Sequence, residues 1–142
     1  MALLAATGPG RVAPRGVDAS YVPGVCNIGP AEIARRQRSG ITASIATVVL
    51  FAVLVAVHAP VLARLVVFVP AAVAAAGFLQ ARLRFCAGFG WLGVFNFGDV
   101  GTTDHVAEVA ARARDRRLAV RIAVASGIAG AVVGVAAVVL PV

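Results

Sequence analysis

Two long apolar runs stand almost end to end in this chain, and they constrain its fold more than any other feature. The first covers residues 41–58 and the second covers residues 61–81, with only Ala59 and Pro60 between them. As helices they would be about 27 Å and about 31 Å long, close to the thickness of a bilayer's hydrocarbon core. Two such helices joined by a two-residue turn return the chain to the side from which it started. We therefore predict a transmembrane helical hairpin.

The composition also indicates a membrane protein. Hydrophobic residues make up 61% of the 142 residues, against about 45–50% in an average soluble domain. A soluble core of this size could not bury so much apolar surface. A third apolar run, residues 118–140, predicts a third span with Arg121 near its start. The predicted fold class is an all-α polytopic membrane protein, a helical hairpin plus a third transmembrane helix, with interfacial amphipathic helices.

The arginines predict the orientation of these spans. The chain has 13 basic residues, all of them arginine, and a formal net charge of +7. Most precede the first or the third span: Arg11, Arg15, Arg35, Arg36, Arg38, Arg82, Arg84, Arg112, Arg114, Arg116 and Arg117. Only Arg64 lies near the hairpin turn. The positive-inside rule then places the N-terminus and the loop 82–117 in the cytoplasm and the C-terminus outside the plasma membrane.

The same charge pattern suggests the partners of the chain. We expect residues 1–22 to form a flexible cytoplasmic tail and residues 23–142 to form a single membrane domain. Arginines that flank spans contact anionic lipid head groups. Nucleic acid is not expected as a partner, because no nucleic-acid-binding module is recognisable. No cofactor is predicted, because neither a Walker pattern nor a dinucleotide fingerprint is present.

Two segments that flank the hairpin are predicted to lie at the membrane surface. Gly29 and Pro30 look like the start of a short amphipathic helix that ends before Gly40 and carries Glu32 in its first turn. After the hairpin, residues 80–98 are rich in glycine and aromatic residues. The aromatic rings are predicted to be interfacial anchors. They are Phe85, Phe89, Trp91, Phe95 and Phe97.

With these elements in place, the chain resembles the two-span transmembrane domain of YgaP-like inner-membrane proteins. The matching pieces are the Asn27-Ile28-Gly29 element, the turn with Glu32 and two arginines, the hairpin, and Phe85-Cys86 after it. The likeness covers about residues 26–98. Ala87 stands where that family usually has proline, and Cys26 is additional. The resemblance implies the hairpin topology and, more distantly, a role in sulfur handling.

The third span and the segment before it contain helical patterns. Thr102, Thr103 and Asp104 are candidate N-caps of a helix that runs along the interface or directly into the span. Within the span, small residues recur every fourth position, a pattern that lets another helix approach closely. They are Ser126, Gly130 and Gly134. We expect this stripe to pack against the hairpin of the same chain or against a second copy.

The two cysteines are the main candidates for chemistry. A hairpin places Cys26 and Cys86 on the same side of the membrane. Arginines nearby would stabilise thiolates, which favours redox or sulfur transfer, and His105 could join the thiols as a weak metal-ligand candidate. The third alternative is that both thiols are inert packing groups.

The spans argue against transport. They contain no acidic residue, and buried ionisable groups usually mark ion and proton pathways. No hydrolase constellation is visible, so no catalytic residue is assigned. We predict a non-catalytic accessory or scaffold subunit that packs against itself or a larger membrane complex. The alternative is a membrane-surface thiol protein that uses Cys26 and Cys86.

Overall fold

The computed structural model describes residues 20–142, and three long helices dominate it. The first is α1, Pro30–Ala56. The second begins as a 3-10 helix, Val61–Val67, and continues as α2, Phe68–Leu83. The third is α4, Val109–Val139. All three are long and apolar enough to cross a membrane. The sequence-based prediction of a mainly helical chain with three such helices is confirmed.

The prediction of a separate surface helix before Gly40 is wrong. Gly40 lies inside α1, where it is buried against α2. A Cβ at this position would lie 3.1 Å from the ring of Phe78. The helix therefore runs through the glycine without interruption. Its 27 residues extend about 40 Å, more than the roughly 30 Å thickness of a bilayer's hydrocarbon core.

Short elements connect α2 to α4. They are α3, Ala87–Leu92, and the strands β1, Val94–Phe95, and β2, Asp104–His105. The strands pair antiparallel, with Val94 opposite His105, which adds a small sheet to the predicted all-α fold. The predicted N-caps at residues 102–104 are also corrected, because α4 begins at Val109 with Glu108 as its N-cap residue. The Thr102 hydroxyl instead donates to the side chain of Asn96, 2.9 Å away.

The second helix is the centre of the fold, because α2 packs against α1 on one side and α4 on the other. Glycines mark both contacts. A Cβ at Gly77 would lie 2.6 Å from the backbone nitrogen of Gly40. A Cβ at Gly130 would lie 2.7 Å from the Cβ of Ala72. Side chains larger than hydrogen cannot occupy these positions without moving the helices apart.

The connecting segments gather at one end of the helices. We call this end the base and define it by residues 20–29 and 84–108, which adjoin the start of α1, the end of α2 and the start of α4. Of the predicted tail, residues 1–19 lie outside the described part of the chain. Tyr21 belongs to the base, because its hydroxyl donates to Asp115 of α4 over 2.8 Å. The packed part of the chain therefore includes residues that were assigned to the tail.

At the opposite end of the helices, an arginine side chain connects two segments of the chain. Arg64 of the 3-10 helix is buried, and its guanidinium donates to the carbonyl of Leu140 at 3.2 Å and to that of Val142 at 2.7 Å. Carbonyls at a helix C-terminus have no partners within the helix. Arg64 therefore ties the 3-10 helix to the end of α4.

Candidate thiol site at the base

Two buried asparagines join the segments of the base. The Asn27 side-chain carbonyl accepts from the Cys86 N–H at 2.7 Å, and the Asn27 amide donates to the Cys86 carbonyl at 3.1 Å. The backbone N–H of Asn96 donates to the Asn27 carbonyl, and the N–H of Gly29 donates to the Asn96 carbonyl. Since buried polar groups need such partners, the residues before α1, after α2 and directly after β1 form one connected unit.

This unit holds the Cys86 thiol against an arginine of α1. The Arg36 Nη2 donates to the Cys86 Sγ at 3.0 Å, and Cys86 is only 2% exposed. The guanidinium also lies over the Phe89 ring, 5.9 Å from its centroid. Arginine at this distance stabilises negative charge on sulfur. Cys86 therefore lies in an electropositive but covered environment.

A buried carboxylate lies one helical turn before this arginine. Glu32 is 1% exposed, and its oxygens lie 3.6 Å from nitrogens of Arg35 and Arg36. Neither carboxylate oxygen accepts a hydrogen bond from a residue in the range 20–142. A buried carboxylate is costly unless a cation accompanies it. Glu32, Arg36 and Cys86 thus form a row of contacts that runs from α1 to the start of α3.

The second cysteine lies beside this row without joining it through a disulfide. Cys26 is half-buried, and its sulfur lies 3.8 Å from the Ile28 carbonyl. Both cysteines are free thiols. Their segments meet because Asn27, next to Cys26, binds the backbone of Cys86. The structure therefore brings the two candidate thiols to the same end of the helix bundle.

The predicted metal-ligand candidates do not gather. His105 is exposed on β2. In the described range 20–142, no three side chains of His, Cys, Asp or Glu come together as a ligand set. Cys26, Cys86 and His105 therefore do not form a three-ligand site in this arrangement of the chain.

One of the predicted aromatic anchors belongs to the protein core. Phe85 is fully buried, and it packs with Ala119 and Ile122 of α4. The reason is local: Arg84 adopts a left-handed conformation (φ 52°) that ends α2 and turns the chain back toward the bundle. Gly90 leaves room for the ring, since a Cβ there would lie 2.6 Å from it. Phe85 is therefore a packing residue and contacts protein.

The other four aromatic rings lie nearer the surface of the base. Trp91 is exposed, and the Arg116 guanidinium lies over its ring at 5.9 Å. Phe95 is half-buried and stacks on Tyr21 with centroids 4.8 Å apart, while the centroid of Phe97 lies 6.1 Å from that of Phe95. These rings pack partly on one another and on arginines, an arrangement that the sequence pattern alone did not indicate.

A second buried carboxylate secures the N-terminal segment. Asp115 of α4 is fully buried and accepts from the Tyr21 hydroxyl at 2.8 Å and from the Gly24 N–H at 2.7 Å. Burial is the largest cause, and the hydrogen bond to Asp115 the second, that raises the pKa of Tyr21 well above its ordinary value of 10.0. Sequence reasoning missed this clamp because residues 1–22 were assigned to a tail. The Pro23-Gly24 turn was the available signal.

The small-residue stripe of α4 lies on its buried side. Ser126 donates its hydroxyl to the Ile122 carbonyl at 2.7 Å. Gly130 faces Phe68 and Ala72, and a Cβ at Gly134 would lie 3.4 Å from the Cβ of Phe68. The stripe is therefore placed against the second helical segment of the same chain.

Comparisons with known proteins give no relative to which this site can be related. No protein-family model, no curated protein and no solved structure matches the chain. The resemblance to the YgaP-like domain stays a prediction, and the function must be argued from the geometry.

Proposed function

We propose that this chain is an accessory or scaffold subunit of the plasma membrane that packs, without catalysis, against a second copy or a larger membrane complex. One observation carries the proposal. Besides the stripe that packs inside the chain, α4 has a second line of small residues, in which Ala123 and Ala131 are exposed and Gly127 is half-buried. At Gly127, no described atom outside its own helix lies within 4 Å of a Cβ position. Small residues spaced by four let a further transmembrane helix approach closely.

The arrangement of charge supports membrane insertion with the base in the cytoplasm. Among residues 20–142, every arginine except Arg64 lies on the half of the molecule that contains the base. Arg64 is turned inward toward the end of α4. This asymmetry is the one that the positive-inside rule associates with the cytoplasmic side. The outward faces of α1 are apolar and exposed, as lipid-facing surfaces are, with Val48 68% exposed.

The experiment is purification of the full chain in mild detergent, followed by measurement of mass and of co-purifying membrane proteins. We expect Gly127→Leu to remove the association, because a large side chain blocks the close approach. Ala125→Leu is the matched control, since Ala125 is exposed on another side of α4 and should leave association intact. A wild-type chain that stays monomeric and alone, or a Gly127→Leu variant that associates normally, would refute the subunit role.

A second candidate function is favoured by the contact between Arg36 and Cys86. The Arg36 guanidinium lies 3.0 Å from the Cys86 sulfur, and buried Glu32 lies 3.6 Å from the same guanidinium. Thiol reactivity depends on such cationic neighbours. The chain could then act as a membrane-surface thiol protein, with half-buried Cys26 as the more accessible sulfur and Cys86 as the activated one.

Alkylation kinetics test this second function. A maleimide reagent is applied at neutral pH to the purified protein and to the single variants Cys26→Ser and Cys86→Ser. If Arg36 activates the sulfur, Arg36→Gln slows the labelling of Cys86. If Arg36 only packs there, the same change loosens the base and accelerates labelling. Thiol chemistry would be excluded if both cysteines resist labelling in detergent and the double variant, Cys26→Ser with Cys86→Ser, behaves like the wild type.

A further inference from the structure

A cleft of mixed character lies between α1 and α2 near the base. Its volume is about 310 Å³, and two residues of α1 and three of α2 line it. They are Ile33, Gln37, Phe78, Ala81 and Arg82. The cleft opens on the base side of the Gly40–Gly77 contact, because its residues lie between one residue and two turns closer to the base than those glycines. An amide and a guanidinium thus lie among apolar walls.

The position of the cleft along the helix coincides with the expected edge of the hydrocarbon core. The seven residues of the 3-10 helix rise about 14 Å, and residues 68–78 of α2 rise about 16 Å. The sum, about 30 Å, equals the thickness of the core. With the turn between α1 and the 3-10 helix at one surface, Phe78 reaches the other surface. Arg82 then lies one helical turn farther, among the head groups.

The polar side chains of this cleft bind no other group in the described part of the protein. Neither Arg82 nor Gln37 makes an ion pair or a side-chain hydrogen bond to any group in residues 20–142. Arg64 and Arg112, by comparison, each donate to backbone carbonyls. A guanidinium that lines the same cleft as an amide is suited to phosphate, which the guanidinium can bind through two parallel N–H donors.

A cleft near the opposite end of the helices has a different character. It has a volume of about 210 Å³ and is lined by eight residues without a charged side chain. They are Thr47, Val48, Phe51, Val67, Val133, Ala136, Ala137 and Leu140. Such a surface fits hydrocarbon alone. Of these two clefts, the one that contains Arg82 offers a charged side chain to a lipid head group.

We propose that the cleft near the base binds one anionic phospholipid of the cytoplasmic leaflet. The phosphate lies between Arg82 and Gln37, and an acyl chain runs along the Phe78 ring toward the bilayer centre. Charge complementarity selects an anionic head group, since Arg82 has no carboxylate within ion-pair distance in residues 20–142. The inference rests on the proposed membrane insertion but not on the accessory or the thiol role.

Native mass spectrometry of the full chain in mild detergent tests this site. The protein is titrated with palmitoyl-oleoyl phosphatidylglycerol and, separately, with phosphatidylcholine of the same acyl chains. We expect phosphatidylglycerol to bind more tightly than phosphatidylcholine. Arg82→Gln should weaken phosphatidylglycerol binding about tenfold, because one charge-assisted contact is lost. Arg117→Gln removes the same charge from the exposed surface of α4 and should change the affinity less than about twofold.

Two further variants keep the test decisive if Arg82→Gln does not fold. Gln37→Ala removes a neutral donor to the phosphate, which both lipids carry, and should weaken both while phosphatidylglycerol stays the tighter ligand. Ala81→Leu fills the cleft without altering charge and should weaken both lipids. Equal affinity of the wild-type protein for the two lipids would overturn the proposal, and so would equal affinity of Arg82→Gln and Arg117→Gln for phosphatidylglycerol. A protein segment that cross-links to position 82 in membranes, without specific lipid binding, would also overturn it.

Discussion

Asn27 binds Cys86 on both sides of its backbone, since its side-chain carbonyl accepts from the Cys86 N–H and its amide donates to the Cys86 carbonyl. Asn27 lies just before α1, and Cys86 lies just after α2. This buried side chain therefore joins the two ends of the helical hairpin, together with the hydrogen bond from the Asn27 N–H to the Arg84 carbonyl. The contact also fixes the backbone of the residue whose sulfur meets Arg36, so stability and any thiol chemistry depend on the same asparagine.

We expect Asn27→Ala to lower the free energy of unfolding by about 2–4 kcal/mol, because two buried backbone groups lose their partners. Thermal unfolding in detergent, followed by circular dichroism, measures the change. Ser39→Ala is the control, since Ser39 is exposed on α1 and its replacement should change stability by less than about 0.5 kcal/mol. Equal stability of the two variants would show that the asparagine does not hold the base together.

The long helices were predictable because their signal is local and strong. A continuous apolar run of 18 residues or more, such as 61–81, needs no tertiary information to be assigned as a span. The boundary at Gly40 was misjudged for a specific reason. Glycine weakens an isolated helix, but here it permits the contact with Gly77 and Phe78, and that packing outweighs the intrinsic propensity.

The base was predictable only in outline. The hairpin predicted that the segments of Cys26 and Cys86 lie near each other, but the roles of Asn27, Glu32 and Asp115 arise from contacts between residues far apart in sequence. Glu32 was assigned to a surface helix turn, where an acidic residue favours the helix N-terminus. Its burial, with 1% of the residue exposed, is a property of the tertiary structure that no periodicity in the sequence encodes.

A methyl group at Gly77 should separate the hairpin helices. In Gly77→Ala, the added Cβ would lie 2.6 Å from the nitrogen and 2.7 Å from the Cα of Gly40, and backbone atoms cannot move aside alone. We expect a loss of about 1–3 kcal/mol in unfolding free energy. We expect Gly127→Ala to raise the free energy of unfolding, because its Cβ meets nothing within 4 Å among described atoms and alanine favours the helix. Equal effects of the two changes, measured by denaturant unfolding, would contradict the packing assignment.

The clamp between Tyr21 and Asp115 predicts a loss of stability at high pH. The pKa of Tyr21 is raised in the folded protein above its ordinary value of 10.0, so the folded state retains the phenolic proton where the unfolded state releases it. The stabilisation is therefore complete below pH 10 and is lost as the pH rises through the folded pKa. Tyr21 is the chain's single tyrosine, so absorbance titration reports it directly.

Tyr21→Phe separates the contribution of the hydroxyl from that of the ring, which still stacks on Phe95. We expect the variant to be less stable than the wild type by about 1.5 kcal/mol at neutral pH, and to lose the component of the pH dependence that begins near pH 10. Val22→Ala, an exposed change next to it, is the control. A wild-type tyrosine that titrates at its ordinary pKa in the folded protein would rule out the clamp.

Arg64 should control the order of the C-terminal end of α4. Its guanidinium donates to the carbonyls of Leu140 and Val142, and the Leu140 carbonyl also accepts from the Val142 N–H at 2.9 Å. In Arg64→Ala we expect the amides near residues 136–142 to exchange with solvent at least tenfold faster. The reason is that loss of a charge-assisted hydrogen bond lowers the free energy of local opening. Arg64→Lys should be intermediate, since one ammonium cannot span both carbonyls as a forked guanidinium does. Arg121→Gln removes an exposed charge of α4 and should leave exchange unchanged, so hydrogen exchange at the C-terminus that responds equally to the loss of either arginine would contradict the cap.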